Sequence, residues 1–217
     1  GYRFTAGLDA TESSAASIAV PAATAPPVTP AVAAAPTNLS VDQQPLYGRA
    51  SDAGAVGELL RTHAQVSIIG AGGIGKTRLA LAVANAQRDH FPDGVWWVEL
   101  AALSDGVRVA GAIAQALGVR AGDERPVLET VVALLRNQTA LLVLDNCEHL
   151  LDAAAECVRV LLRNAPALRV LVTSQEALHT PEEQVYRLGS LPIAGTLEAP
   201  AAAIELFLAR AQAADPR

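Results

Sequence analysis

The sequence predicts an α/β domain: a parallel sheet with helices on both faces, preceded by a disordered linker rich in alanine and proline. Three observations predict it. Val66–Ile69, Ala140–Asp145 and Arg169–Thr173 are short, mostly apolar runs, the pattern of strands buried on both faces. Longer segments with apolar residues at helical spacing separate these runs. Glycines follow the first run directly, at the strand end where ligands bind in such sheets.

Taken in order, residues 1–7 carry alternating aromatics at Tyr2 and Phe4, which fits the end of a β-strand. Residues 8–44 are Ala, Pro, Ser and Thr with hardly a large side chain. Pro21, Pro26, Pro27, Pro30 and Pro36 block regular helix and sheet there, and the small residues bury too little surface to offset chain entropy. This segment is expected to be a flexible linker. Residues 45–217 hold the folded domain. Its expected elements are a strand at 66–69, a helix at 77–88 and a strand at 95–100, which the turn Phe91-Pro92-Asp93-Gly94 leads into. Helices follow at 107–117 and 127–135, then a strand at 140–145, a helix at 150–163, strands at 169–173 and 184–187, and a helix at 201–213.

The chain has 217 residues, 51% of them hydrophobic and 18% charged, enough for one well-packed domain. A net charge of −6 gives the chain no electrostatic reason to bind nucleic acid. Its two cysteines, Cys147 and Cys157, are too few for a disulfide framework and lack metal-ligand spacing, so both are expected to fill the core. No apolar run is long enough to cross a bilayer, and no basic segment precedes an apolar one at the start. A cytoplasmic protein without membrane contact is expected. The absence of methionine predicts that Gly1 is an internal residue of a longer polypeptide.

Residues 70–77, GAGGIGKT, match the phosphate-loop pattern G-x-x-x-x-G-K-[ST] at every fixed position. Gly70, Gly72, Gly73 and Gly75 let the backbone curl so that successive N–H groups point at phosphate oxygens. The helix beginning near Lys76 adds the positive end of its dipole. Lys76 supplies a mobile charge for the β- and γ-phosphates, and the Thr77 hydroxyl can ligate Mg²⁺. A chance glycine turn is the alternative; a strand before the loop and a helix after it favour the phosphate cradle. Asp145 ends an apolar strand at the same sheet edge and is the expected Mg²⁺ carboxylate.

Hydrolysis needs a group that activates water. Asn146 cannot accept a proton in that way, so the nearest acid, Glu148, is the catalytic candidate, against a plain helix-start glutamate. His149 is nearby and reads as structural. Thr173 and Ser174 end the next strand, where a hydroxyl could sense a γ-phosphate or simply cap the turn. Arg49 lies just before the first strand of the sheet, either near the nucleotide or as a solvated charge.

The ordered set resembles the STAND class of signal-transduction ATPases, relatives of NB-ARC and AAA+ domains. More narrowly, it resembles the ATPase part of bacterial winged-helix transcriptional regulators. The residues that carry the resemblance are Tyr47-Gly48-Arg49, GAGGIGKTRLA at 70–80, FPDGVWWVELAAL at 91–103, LLVLDNCEHLLDA at 141–153 and LVTSQEAL at 171–178. GYRFTA at the start is similar to the last strand of a winged-helix DNA-binding domain. The resemblance implies ATP and ADP as ligands with Mg²⁺, slow hydrolysis that resets a switch, and self-association on ATP binding. DNA would be bound only through the winged helix, most of which lies before Gly1. Lys76 and Thr77 fall on the family's phosphate and magnesium positions and Asp145 on its magnesium aspartate. Arg49 falls on an arginine that helps hold the nucleotide, and Thr173 and Ser174 on the strand-end sensor. Where the family commonly has an arginine after that serine, this chain has Gln175. The family's later glycine-proline motif, from a following helical subdomain, is not in this chain. Two other readings stand beside the switch: a hydrolysis-defective nucleotide-binding module, and a kinase that uses the same loop. The residues alone do not choose adenine over guanine; that choice rests on the resemblance.

Overall fold

The structure, a computed structural model, describes residues 35–39, 46–119, 126–191 and 202–214. Five strands form one sheet: β1 (Gln65–Ile69), β2 (Val95–Glu99), β3 (Leu141–Asp145), β4 (Arg169–Ser174) and β5 (Glu183–Arg187). The spatial order is β2-β3-β4-β1-β5, and every pairing is parallel. The helices are α1 (Ala50–Thr62), α2 (Lys76–Ala86), α3 (Val109–Ala116), α4 (Val127–Leu135), α5 (Leu151–Asn164) and α6 (Ala202–Ala214).

Alternation along the strands sorts the core into two layers. Val66, Ile68, Val95, Leu141, Val143 and Leu171 pack under Val56 and Leu60 of α1 and Leu79, Ala80 and Val83 of α2. Val98, Leu142, Leu144, Val170 and Val172 face the other way, against α3, α4 and α5. On α5 the buried residues Ala154, Cys157, Val158 and Leu161 recur at helical spacing and make one apolar stripe. Both cysteines are buried free thiols, as expected of core-filling residues. Burial pushes the Cys157 thiol up to about 11 and that of Cys147 higher still.

The strands and most helices lie within a residue or two of their expected positions; the helix expected at 107–117 begins with a 3-10 turn at Gly106–Arg108. Two features differ from expectation. Helix α1 was not foreseen. And the segment expected to be linker as far as residue 44 is held against the sheet at 35–39. Thr37 bridges in parallel to Val95 on the edge strand β2, with Val95 N donating to Pro36 O at 3.1 Å and Thr37 Oγ1 to Val95 O at 2.7 Å. Asn38 takes the place of the next ladder residue: its side chain accepts from Trp97 N (2.7 Å) and donates to Trp97 O (2.8 Å). The rest of 8–44, and the strand end expected at 1–7, lie outside the described residues.

Candidate nucleotide-binding site

The sheet order decides which side chains meet. β4 stands between β1, which feeds the glycine loop, and β3, which carries Asp145. By strand alternation Asp145 faces the same side as Leu141 and Val143, and Thr173 the same side as Leu171. That side is the one covered by α2. Thr77, in the first turn of α2, therefore lies opposite both.

The hydrogen bonds follow from this placement. Thr77 Oγ1 donates to Asp145 Oδ1 at 3.0 Å, and Thr173 Oγ1 donates to the same oxygen. Thr173 Oγ1 also accepts from Asn146 N at 3.0 Å, and Thr173 O accepts from Cys147 N. Thr173 thus pins both the carboxylate and the backbone that follows it, where Asn146 turns with a φ of 65°. Asp145 is buried, and desolvation raises its pKa against the two hydroxyl bonds; the nearby Glu99 and Glu148 carboxylates raise it further. Thr77 and Asp145 are two hard oxygen donors on one point, a set that suits Mg²⁺.

Gly70, Gly72 and Gly73 lie in the turn between β1 and α2, and Gly75 caps the helix. Gly73 and Gly75 have φ values of 72° and 100°, a left-handed backbone that favours glycine. Lys76 is buried, and its Nζ donates to Gly70 O (2.9 Å) and Ala71 O (3.0 Å), so the ammonium sits under the loop it closes. Gly70 N donates to Ser174 O at 3.3 Å, tying the loop to the end of β4.

Arg49 is buried, not a solvated charge. Its guanidinium donates to Gly189 O (2.7 Å) and Ile74 O (3.4 Å) and pairs with Asp52 at 3.3 Å. Tyr186 Oη donates to the other oxygen of Asp52 at 2.5 Å, and burial first, then Asp52, pushes the phenol up to about 12. This network joins α1, the glycine loop and the chain after β5. Beside it opens a cavity of about 240 Å³ whose walls include Leu46, Tyr47, Ile74, Leu191, Leu206 and Arg210. The cavity is mostly apolar and borders Gly73 and Gly75, so a flat ring could pack there while phosphates extend along the loop.

Glu148 lies at the turn before α5, half-buried, and accepts from Gln175 Nε2 at 3.1 Å. His149 stands apart from the site and bonds Leu103 O at 2.7 Å, a structural contact. The Ser174 hydroxyl turns to the Glu176 backbone and not to Asp145. Sequence reasoning missed Glu99: it pairs in register with Asp145 on the neighbouring strand, and only the strand order reveals that. It also missed Asp52, Tyr186 and Arg210. The Arg49–Asp52 pair had a local signal, an i,i+3 spacing at a helix start.

A family model described as AAA domain matches residues 60–180. A Mycobacterium tuberculosis protein that carries the name of an HTH-type transcriptional regulator is 37% identical over 158 residues, covering 73% of this chain and 17% of its own length. Regulatory protein AfsR of Streptomyces griseus is 37% identical over 117 residues, covering 50% of this chain and 12% of its own. The chain therefore spans a small part of the length of these relatives. Among solved structures, Cdc6p from Pyrobaculum aerophilum aligns with a TM-score of 0.53 at 16% identity, over 78% of this chain and 51% of that one, a likeness of fold alone. A Signal Transduction ATPase with Numerous Domains protein from Pyrococcus horikoshii aligns at a TM-score of 0.45 and 16% identity, over 77% of this chain and 26% of that one.

Proposed function

This chain belongs to the AAA domain family, and we propose that it is the ATP- and ADP-binding switch domain of a cytoplasmic transcriptional regulator, resetting its state by slow Mg²⁺-dependent hydrolysis. The observation that carries the reading is the convergence of Lys76, Thr77, Asp145 and Thr173 at one sheet edge beside a ring-sized apolar cavity. Lys76 exchanges its two loop carbonyls for phosphate oxygens, which are stronger acceptors. Thr77 and Asp145 would hold Mg²⁺, which would supply charge to offset that of the phosphates. Gly70, Gly72, Gly73 and Gly75 offer backbone N–H groups to the phosphates. Thr173 keeps the Asp145 carboxylate aimed at Thr77. Arg49 acts by fixing the cavity wall through Gly189 and Ile74. Glu148 takes the proton of the attacking water.

ADP holds one form of the switch and ATP another, each by its differential affinity for the two. Self-association follows ATP binding, and DNA is reached through a winged helix that ends within residues 1–7, with the linker in the part of 8–44 outside the strap at 35–39 and 45–217 as the ATPase domain. The names of the relatives above support the regulatory part of this reading. Phosphate release from Mg²⁺-ATP, compared between the native chain and E148Q, tests it. Turnover lost in E148Q with nucleotide binding retained is the expected result. Binding without turnover in the native chain would replace it with a hydrolysis-defective module. Phosphate transfer to an acceptor other than water would make it a kinase.

A further inference from the structure

β2 forms one edge of the sheet, and its sequence VWWVE is made largely of β-branched and aromatic residues. An edge of that composition is a template for pairing with another chain. Along a strand, backbone groups point alternately to one neighbour and the other. Leu141 N donates to Gly94 O and Leu100 N to Asp145 O, so the even-numbered residues serve β3. Val95, Trp97 and Glu99 therefore turn their N–H and C=O groups outward. The strap at 35–39 meets the first two: Val95 bonds Pro36 O and Thr37 Oγ1, and Trp97 bonds the side-chain amide of Asn38. The outward backbone groups of Glu99 have no hydrogen-bond partner among the described residues. A cavity of about 360 Å³ opens beside them, with walls that include Asn38, Trp97, Val98, Glu99 and the α3 residues Ala112 and Gln115. The strap is thus short, uses a side chain where a strand would use its backbone, and leaves part of the edge open.

We propose that the β2 edge is a surface for a second copy of this chain, held shut by the strap: once 35–39 detaches, two β2 strands pair antiparallel about a twofold axis at Trp97. That register is self-complementary. Trp97 faces the second copy's Trp97, and Val95 faces its Glu99, so every outward N–H and C=O of the two strands finds a partner. No carboxylate stands opposite another. On the other face of the ribbon Trp96 meets Val98, so the contacts are the aromatic and β-branched pairs that stabilise sheets. Trp96 and Trp97 are half-buried in the single chain and have surface left to cover. The strap belongs to the same chain as the edge it covers, so its high effective concentration keeps the pairing rare until it is released. β3 and β4 stand between this edge and β1, which feeds the glycine loop. The pairing needs no nucleotide and is separate from the function proposed above.

The test compares the full 217-residue chain with the variant T37A/N38A/L39S and with that variant carrying E99P as well. The first three changes remove the strap's side-chain bonds and the leucine that packs against the core. Proline at 99 deletes an outward N–H and none that serves β3. Sedimentation equilibrium without nucleotide, from about 1 to about 100 µM, reads the mass, and amide hydrogen exchange reads the surface. The native chain is expected to be a monomer with a slow Trp97 amide and a fast Glu99 amide. T37A/N38A/L39S is expected to dimerise, with both amides slowing as concentration rises, and E99P should weaken that dimer about 10- to 100-fold. G94A, whose Cβ would lie 2.9 Å from Pro36 O, displaces the strap independently and should dimerise in the same way, so it decides if the triple variant does not fold. Variants that stay monomeric at about 100 µM overturn the inference, whether the Trp97 amide is fast or slow. So does a dimer whose Glu99 amide stays fast or that E99P leaves unchanged, because it forms through another surface. A native chain already dimeric with a slow Glu99 amide would overturn the strap's guarding role.

Discussion

At the scale of residues, Asp145 shows how the site stores a cost that its ligand relieves. Burial raises its pKa, and Glu99 and Glu148 add to the effect. The folded protein therefore holds the Asp145 proton more tightly than the unfolded chain does. This contribution to stability is full below the unfolded pKa and is lost as pH rises through the folded one. At neutral pH without nucleotide, D145N should unfold at a higher temperature than the native protein, because asparagine keeps an oxygen for Thr77 and Thr173 without the charge. The difference should shrink as pH is lowered through the raised pKa, and D145N should lose the Mg²⁺ dependence of nucleotide binding. Melting curves across pH would check both. Arg49 makes a contrasting case. R49A leaves two carbonyls, Gly189 O and Ile74 O, without their donor and Asp52 without its cation. The expected loss is about 1–3 kcal/mol in urea unfolding. R49K should not restore it, since a point charge cannot span the forked geometry.

At the scale of elements, the strap at 35–39 closes one edge of the sheet, which would otherwise offer unpaired backbone groups to other chains. Gly94, with a φ of 126°, makes the strap possible: an added Cβ would lie 2.9 Å from Pro36 O and 2.7 Å from Trp96 Nε1. G94A is therefore expected to cost on the order of 2–4 kcal/mol, read by chemical unfolding. N38A should leave stability nearly unchanged but speed hydrogen exchange at the Trp97 amide, which loses its acceptor. A protected Trp97 amide in N38A would mean that the strap is held by something other than this pair. These elements also show where the sequence was legible. β3 and β4 were readable because strands buried on both faces run almost continuously apolar, β1 because Val66, Ile68 and Ile69 lead straight into the glycines, and GAGGIGKT marked the loop outright. The strap was not, because a segment rich in alanine and proline carries no periodicity, and its hold comes from Thr37 and Asn38 meeting an edge distant in sequence. Helix α1 was hidden by Gly54 and Gly57, which lower helix propensity, and by a buried set of only Val56, Gly57 and Leu60.

At the scale of the molecule, strand order turns separate motifs into a site. With β4 between β1 and β3, the loop lysine, the α2 threonine, the β3 aspartate and the β4 threonine share one edge, and Gln175 bridges to Glu148 beyond them. Sequence reasoning placed Lys76 and Thr77 where the glycine loop meets a helix and Asp145 and Thr173 at strand ends, but could not tell that Thr173 bonds Asp145 while Ser174 does not. That depends on which face each residue takes, and one residue of shift reverses it. Nor could it separate a solvated Arg49 from the buried one found, because the carbonyl partner at Gly189 lies 140 residues away.

The sheet edge binds nucleotide through Lys76 in the function proposed above. Thermal unfolding of the chain with and without Mg²⁺-ADP and Mg²⁺-ATP, repeated for K76A, tests it most directly. Ligand at 100 times its dissociation constant stabilises by about 2.7 kcal/mol. For a domain of this size that is a rise of about 5–10 °C in Tm. Such a rise is expected in the native chain, and its loss in K76A. A folded native chain whose Tm ignores both nucleotides, or a K76A variant that responds as the native chain does, would contradict it.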